Sequence, residues 1–282
     1  MNSFRSRSSS TTLICGALLC TVLATNARAG VVIESTVKDP RLGGSEAMLM
    51  EIDGDRLRVD PPDQDKDEVR TSMIFDGSRN ALTILDHREK TAIEMDQAMV
   101  EGMMVRLAEA KKQLQAQLAE MPPEQRKMME QMMEQRGAGA MLGGAAPKPR
   151  PPLTLKPSGE TRHVGGRECA VSTLQRANEK VGEACIASFS ALGISREDIA
   201  ALSEMADFQK HIAEQFRGSG MPDVSDELEL FRNLKGLPLQ TIRREANGTE
   251  TRSDLVKIEK VEIPASRFEI PAGYEKREMP KS

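Results

Sequence analysis

Alternating apolar and polar residues dominate the chain from Val31 to Met95. Short runs (VVIESTVK, SEAMLMEI, DRLRV, RTSMIF, ALTILDH and TAIEM) are separated by turn sequences such as Asp53-Gly54 and Asp76-Gly77. A period of two is typical of strands with one buried face, and Asp-Gly between two such runs favours a hairpin. The pattern therefore predicts an antiparallel meander.

At Asp96 the spacing of the apolar residues changes to every three or four positions, which predicts a helix with Asp96 as its N-cap. Its apolar stripe consists of Val100, Met103, Leu107, Ala110, Leu114, Leu118 and Met121. Pro122-Pro123 interrupts this helix, and a second helical run, EQRKMMEQMMEQR, follows. The next residues, to position 151, are rich in Gly, Ala and Pro, so we expect a disordered linker there.

Beyond the linker, LTLKP, ETRHV, RECAVSTLQ and KVGEACIAS have the character of strands. Ser195 and Asp198 form a capping-box-like start for a helix, and a short helix is predicted from Ser225 to Lys235. Two more strands flank the turn sequence Asn247-Gly248. These elements predict an α+β fold in which one curved antiparallel sheet, built from both halves of the chain, is covered by amphipathic helices.

The first 29 residues are typical of a secretory signal peptide, because basic residues precede an apolar run from Leu13 to Ala24 and the small residues before Gly30. The apolar run is too short to span a bilayer, so we expect cleavage after Ala29 and no stable membrane anchor. The mature chain, 30–282, is then expected to be a single periplasmic domain in which residues 96–151 form a helical insertion and linker.

The formal net charge of the whole chain is −4, and the predicted leader contains arginines but no acidic residue. The mature chain is therefore more acidic still. It also contains no tryptophan and one tyrosine. An acidic chain with few aromatic residues argues against a nucleic-acid partner.

Cys169 and Cys185 are the two cysteines that remain after cleavage. In an exported protein such a pair most often forms a disulfide. If the hairpin between the two strands is centred on Ala177, Cys169 lies directly opposite Cys185, at a separation that a disulfide can span. A redox-active dithiol is the alternative, but the CxxC spacing typical of one is missing.

No catalytic motif is evident, and neither a metal site nor a cofactor is predicted. His87, His163 and His211 each lack a second histidine at metal-ligand spacing, and we expect each to be a surface or hydrogen-bonded residue. Asp86 and His87 are adjacent on a strand, so their side chains should diverge. The acidic run from Asp63 to Glu68 lacks the glycine and the terminal acid of a calcium loop, which favours a solvated loop.

Ten of the 17 methionines lie between Met95 and Met141, and Met128, Met129, Met132 and Met133 are spaced to form one patch on a helix. Methionine is flexible and suits a surface that adapts to varied apolar partners. Three interpretations stay open: an adaptable apolar surface, ordinary packing or self-association, and a thioether site for Cu(I).

The segments MEIDGDRLRVD, MIFDG, ILDHREKTAIEMD, GLPLQT and FEIPAGY, together with the cysteine pair, resemble a bacterial secreted family, domain-of-unknown-function family 4412 (DUF4412). That family is similar to the periplasmic lipoprotein carriers LolA and LolB, whose fold is an incomplete antiparallel barrel closed by helices around a hydrophobic cavity. The resemblance covers roughly residues 31 to 100 and 152 to 275 and leaves out the methionine-rich insertion. It implies a LolA-like incomplete barrel and identifies no functional residues.

From these observations we expect a non-enzymatic periplasmic carrier or chaperone-like protein. Its partner would be a lipid, an acyl chain or an apolar segment of another exported protein, held in a groove between the sheet and its helices. The alternatives are a Cu(I)-handling protein and an assembly protein that forms homo-oligomers through coiled-coil-like helices. The candidate ligand-binding residues are Val100, Met103, Met104, Leu107, Met128, Met129, Met132 and Met133.

Overall fold

The computed structural model describes residues 29–42, 44–61, 70–135, 151–216, 235–245 and 247–277. Several predictions fall outside these ranges: nearly all of the signal peptide, the acidic run Asp63–Glu68, the Gly/Ala/Pro linker up to residue 150, and almost all of the short helix from Ser225 to Lys235. They stay predictions.

The first half of the chain forms the predicted meander, in which each strand pairs antiparallel with the next. Asp-Gly turns separate β2 from β3 and follow β4, as the sequence predicts. The strands are β1 (Gly30–Asp39), β2 (Gly44–Asp53), β3 (Arg56–Asp60), β4 (Thr71–Asp76), β5 (Ala81–Asp86) and β6 (Thr91–Met95).

The second half contains the longer strands and ends in a very short one that pairs parallel with β6. The two sequence runs LTLKP and ETRHV form one continuous strand, with a register irregularity at Pro157. The strands are β7 (Leu153–Val164), β8 (Arg167–Arg176), β9 (Glu179–Ser188), β10 (Gly236–Arg244), β11 (Glu250–Val261) and β12 (Glu275–Lys276).

All twelve described strands belong to one sheet, in the order β12-β6-β5-β4-β3-β2-β1-β11-β10-β9-β8-β7. The two halves of the chain meet where β1 pairs with β11, and Ile33 lies opposite Ile258 at this junction. The prediction of one sheet built from both halves is therefore confirmed.

Three α-helices are described: α1 (Gln97–Glu120), α2 (Pro123–Gln135) and α3 (Ala200–Gln215). The Asp96 side chain accepts a hydrogen bond of 2.8 Å from the Met99 amide, which confirms the predicted N-cap. Before α3, the Ser195 amide donates to Asp198 at 2.7 Å and the Asp198 amide to the Ser195 hydroxyl at 3.3 Å, as the capping-box pattern predicts. Within the described ranges, no helix combines the length and apolarity needed to cross a membrane.

The predicted fold class, an α+β incomplete barrel covered by amphipathic helices, is wrong. The sheet is open, with β7 and β12 at its two ends. Only Val100 and Leu118 are buried in α1, so this helix does not press its apolar stripe onto the sheet. The stripe shows that one side of α1 is apolar, but it does not determine what that side contacts.

The sheet buries side chains on both faces. We call the face over which α3 packs the helix face. There α3 lies over β3 and β4, and the ring centroids of Phe208 and Phe75 are 5.6 Å apart. On the other, a segment near the end of the chain covers a second apolar cluster that includes Ile74, Leu85 and Phe268. This C-terminal segment (residues 262–277) contains the 3-10 turn Ala265–Phe268 and β12. It covers that face of the sheet, a role that the sequence analysis assigned to helices.

Candidate functional site

The methionines of α2 point largely into solvent. Met128 is 66% exposed and Met132, one helical turn further on, is 46% exposed. Met129 is half-buried, and the side chain of Met133 lies outside the described residues. Because residues four apart on a helix are neighbours, Met128 and Met132 form a continuous apolar strip. Apart from Met129, Met133 and Pro123, the other residues of α2 are polar or charged.

The candidate residues of α1 are less accessible. Val100 is buried, with 1% of its surface exposed, while Met103, Met104 and Leu107 are half-buried. Val105, which the sequence analysis did not select, is 59% exposed. The accessible apolar surface of the helical insertion therefore lies mainly on α2.

Arg126 fixes the bend between α1 and α2. Its guanidinium donates to the backbone oxygens of Leu118 at 2.7 Å, Ala119 at 3.0 Å and Met121 at 3.3 Å. Carbonyls at the end of a helix lack the usual partner one turn further on, although the Leu118 oxygen also accepts from the Met121 amide at 3.3 Å. A cation is favourable at this negative end of the helix dipole. The Pro122-Pro123 break, which the sequence predicted as an interruption of the helix, is thus bridged by a side chain of α2.

A second group of methionines, Met48, Met50, Met73 and Met95, lies on the helix face of the sheet, partly buried against the main core. Met50 pairs with Val59, Val59 with Met73, and Met73 with Ile84. Met50, Val59, Met73 and Ile84 thus form an apolar row across four strands. Met50, Met73 and Ile84 of this row are partly exposed. The sequence analysis missed these residues. Met48 and Met50 are two positions apart and so share a face of β2, but apolar neighbours such as Leu49 and Ile74 obscure the alternation.

The space between α3 and the sheet is filled by core side chains. Met205 and Phe208 of α3 pack with Leu57 and Phe75 in the main core cluster, and all four are buried. We therefore do not find the predicted groove at this position. Among the described residues, the exposed apolar surface includes the α2 strip and the partly exposed row on the sheet, besides Val105 of α1 and Val256 of β11.

Under the C-terminal segment lies a buried polar network that the sequence analysis also missed. Arg58 on β3 donates from Nε to Asp60 at 2.9 Å and from Nη2 to the Ser72 hydroxyl at 2.7 Å. Its Nη1 donates to the backbone oxygen of Arg267 at 3.1 Å. Arg58, Asp60 and Ser72 are all buried. Such a charged group is stable in the interior only when its hydrogen bonds are satisfied, as they are here.

His87, at the end of β5, extends this network to the chain terminus. Its Nε2 lies 2.6 Å from the Ser72 hydroxyl, and its Nδ1 lies 2.5 Å from the Tyr274 hydroxyl. Asp86 points elsewhere and accepts a hydrogen bond of 2.8 Å from the Glu89 amide. The predicted divergence of Asp86 and His87 is confirmed, and His87 is the hydrogen-bonded histidine that we expected.

The hydrogen-bond directions fix the tautomer of His87. Ser72 donates its single hydroxyl proton to Asp60 at 2.6 Å, so it can only accept from His87. His87 Nε2 therefore carries the proton, and Nδ1 accepts from Tyr274. Burial, followed by the nearby positive charge of Arg58, lowers the pKa of His87 below its ordinary value, which favours this neutral form.

A serine bonded to a histidine could suggest nucleophilic catalysis, but Ser72 has 0% exposed surface. A nucleophile must touch its substrate, and this hydroxyl already donates to Asp60. The hydrogen bonds of Ser72 and His87 therefore serve to hold the C-terminal segment on the sheet. Across the described ranges, no group of three or more His, Cys, Asp or Glu side chains is arranged to hold a metal ion.

Cys169 and Cys185 form the predicted disulfide, with their Cα atoms 5.3 Å apart. They are not directly opposite, however, because Cys185 pairs with Val171. The turn is centred between Ala177 and Asn178 and not on Ala177, and a register irregularity between Leu174 and Gln175 shifts the two strands further. The disulfide therefore joins diagonal neighbours on one face. A disulfide of this kind is expected in an oxidising compartment.

Comparison with protein families gives one match: the family described as "Domain of unknown function (DUF4412)" matches residues 123–274. The matched range begins at α2 and includes its methionines, which the resemblance noted from the sequence had left out. It does not include β1 to β6, from which part of that resemblance was taken. No curated protein matches the chain.

The solved structures that are similar to the chain include two of low sequence identity. One is a crystal structure of an uncharacterized conserved protein from Thermus thermophilus, with 7% identity, a TM-score of 0.39, and coverage of 89% of this chain and 91% of that one. The other is a structure of PNGF-II, with 10% identity, a TM-score of 0.35, and coverage of 88% of this chain and 30% of that one. At such low TM-scores neither structure supports an inference about this chain.

Proposed function

The chain belongs to the family described as "Domain of unknown function (DUF4412)", and we propose that it is a binding protein that holds an apolar ligand on its methionine-bearing surface. The observation that carries this proposal is the exposure of Met128 and Met132, at 66% and 46%, on adjacent turns of α2. The ligand would be an acyl chain or an apolar segment of another exported protein. The proposed activity is binding, without a chemical step.

Exposed methionine has a thermodynamic cost that a ligand can remove. Burying apolar surface stabilises a complex by about 25 cal/mol per Å² before ordering costs are counted. The thioether chain has three rotatable bonds and adapts to ligands of different shape. Weak discrimination between apolar ligands is therefore the expected behaviour.

The sequence-based prediction of export to the periplasm belongs to the same proposal. The buried Cys169–Cys185 disulfide supports it, because disulfides persist in oxidising compartments. Cell fractionation followed by N-terminal sequencing tests it: the mature protein should begin at Gly30. An intact N-terminus on protein recovered from the cytoplasm would contradict export.

Two measurements test whether the protein binds such a ligand. Mass spectrometry of the protein purified without detergent identifies a bound ligand. Fatty acids and an apolar peptide are then tested for displacement of a hydrophobic dye. A Met128→Gln/Met132→Gln variant removes the apolar character of the strip and should lose most of its dye binding. Met128→Leu/Met132→Leu preserves that character and should keep it. Val256→Gln is a matched control, because Val256 is 61% exposed and belongs to β11 and not to α2.

The same variants separate the rival interpretations. A Cu(I) site needs thioether ligands, so the leucine variant would lose Cu(I) binding while it keeps dye binding. Self-association through the helices would show as light scattering that rises with protein concentration and falls in the glutamine variant. Equal dye binding by the wild type and the glutamine variant, with no ligand found in the purified protein, would overturn the proposal.

A further inference from the structure

The polar network under the C-terminal segment joins two regions that are far apart in sequence through one titratable group. His87 contacts Tyr274 of the segment on one side and Ser72 of the sheet on the other. We propose that His87 is a pH-sensitive latch that holds residues 262–277 on the sheet at neutral pH and releases them when the histidine takes up a proton.

The first argument is the saturation of the hydrogen bonds. Ser72 accepts from His87 and Arg58 and donates to Asp60, so it has no further lone pair or proton to offer. A second proton on His87 must sit on Nδ1, where Tyr274 now donates. Tyr274 would then have to turn its hydroxyl from donor to acceptor, so the proton that it now donates to Nδ1 would need another acceptor.

The second argument is charge. The groups that act on His87 are Arg58 and Asp60 from β3, Asp86 beside it, and Arg267 from the C-terminal segment. The two arginines oppose an imidazolium and the two carboxylates favour it. Burial is the largest contribution and opposes it as well, so the pKa of His87 lies below its ordinary value while the segment is bound.

The sign of the pH effect follows. A released histidine regains its ordinary affinity for protons, so the released state binds a proton more readily than the bound state. Acidification therefore favours release, and the stabilisation of the bound segment is lost as pH falls through the ordinary histidine range and down to the lowered pKa. This stabilisation is fully present above about pH 7.

Release has a defined structural consequence. Phe268 and Ile263 of the segment are buried against Ile74, Leu85 and Ala92. β12 pairs with β6, where the Arg277 amide donates to the Ala92 oxygen at 2.8 Å. Once released, the segment would leave both this apolar face and the edge of β6 open. An open strand edge beside an apolar face is a surface on which another strand can add.

The chain contains its own probe for this event. Tyr274 is its only tyrosine and it has no tryptophan, so intrinsic fluorescence reports on the C-terminal segment alone. We expect the emission and anisotropy of Tyr274 to change in one step between about pH 7 and pH 5, in the histidine range. Over the same interval, hydrogen exchange corrected for its intrinsic pH dependence should show lost protection in residues 262–277 but not in α3.

Variants of the three histidines assign the step. His163 and His211 are exposed, so a His163→Gln/His211→Gln protein should fold normally and keep the transition. His87→Gln can still hydrogen-bond but cannot titrate, and it should abolish the step. Should His87→Gln fail to fold, the single imidazole signal left in the His163→Gln/His211→Gln protein gives the His87 pKa by NMR. A pKa at or above the ordinary value, or a fluorescence step that persists in His87→Gln, would overturn the proposal.

Discussion

Arg267 in the C-terminal segment forms a two-pronged ion pair with Glu51 of β2. Its Nε lies 3.0 Å and 2.8 Å from the two carboxylate oxygens, and its Nη2 lies 2.5 Å from the second oxygen. The same guanidinium reaches Asp60 at 3.3 Å. This pair is a second anchor of the segment besides His87, and it is electrostatically coupled to His87 because Arg267 also opposes a positive charge there.

Replacing Arg267 with methionine should destabilise the protein. The Glu51 side chain is 11% exposed and would keep only the longer 3.9 Å contact with Arg58, whereas Arg267 itself is 36% exposed and partly screened. Removing one partner from a fully buried pair costs about 3–5 kcal/mol, and the exposure of Arg267 reduces this to about 2 kcal/mol. Urea unfolding of the purified protein measures the loss.

The matched control for this pair is the double variant Glu51→Gln/Arg267→Met. It removes the charge that Arg267→Met leaves stranded, so it should recover part of the lost stability. If the double variant is less stable than Arg267→Met by the full cost of Glu51→Gln alone, the two side chains are not coupled, and the ion pair is not the anchor.

Removing the disulfide should lower stability by about 3 kcal/mol, because the bond closes a loop in the unfolded chain. Cys169 and Cys185 are separated by 16 positions and both are buried, so alanine is the suitable replacement for each. The urea midpoint of Cys169→Ala/Cys185→Ala should fall and should no longer respond to reductant. Free thiols in the oxidised wild-type protein, or an unchanged midpoint in the variant, would show that the bond is absent or contributes little.

Phe208 should be the residue that fixes α3 to the sheet. Its ring packs against Phe75, and the two side chains are 3% and 1% exposed. Phe208→Ala should therefore cost about 3–5 kcal/mol. Phe208→Leu keeps most of the buried volume and should cost clearly less. Equal losses for the two variants would mean that the contact with Phe75 does not depend on filling this space.

Local sequence patterns predicted the strands and helices well. The alternation from Val31 to Met95, the Asp96 cap and the Ser195–Asp198 capping box each depend on residues a few positions apart, and each is present. The sequence could not predict what the elements face. The apolar stripe of α1 is compatible with a helix packed on the sheet, but most of that stripe stays half-buried.

The buried network was not predictable for the same reason. His87 and Tyr274 are 187 positions apart, and Arg267 and Glu51 are 216 apart. No periodicity in a single sequence specifies contacts over such distances, because they depend on how the whole sheet is assembled. The methionines Met128 and Met132 were selected correctly as neighbours, since their spacing of four residues is a local property of the helix. Dye displacement and mass spectrometry decide whether they bind a ligand.

Glu204 of α3 offers a test of how the helix sits over the sheet. Burial raises the pKa of its carboxyl, and the negative charges of Asp55 and Asp207 raise it further. When the pKa of a carboxyl is higher in the folded state than in the unfolded state, the carboxyl favours folding most while it is protonated, below its ordinary pKa. This favourable contribution is lost as pH rises through the raised pKa.

Glu204→Gln should therefore be more stable than the wild type at pH 7, by at most about 1 kcal/mol, and the advantage should vanish near pH 4. Thermal unfolding at several pH values measures this, and Glu214→Gln, on the same helix, is the control. If the two variants show the same pH dependence, Glu204 does not lie in the acidic environment, beside Asp55 and Asp207, that the structure gives it.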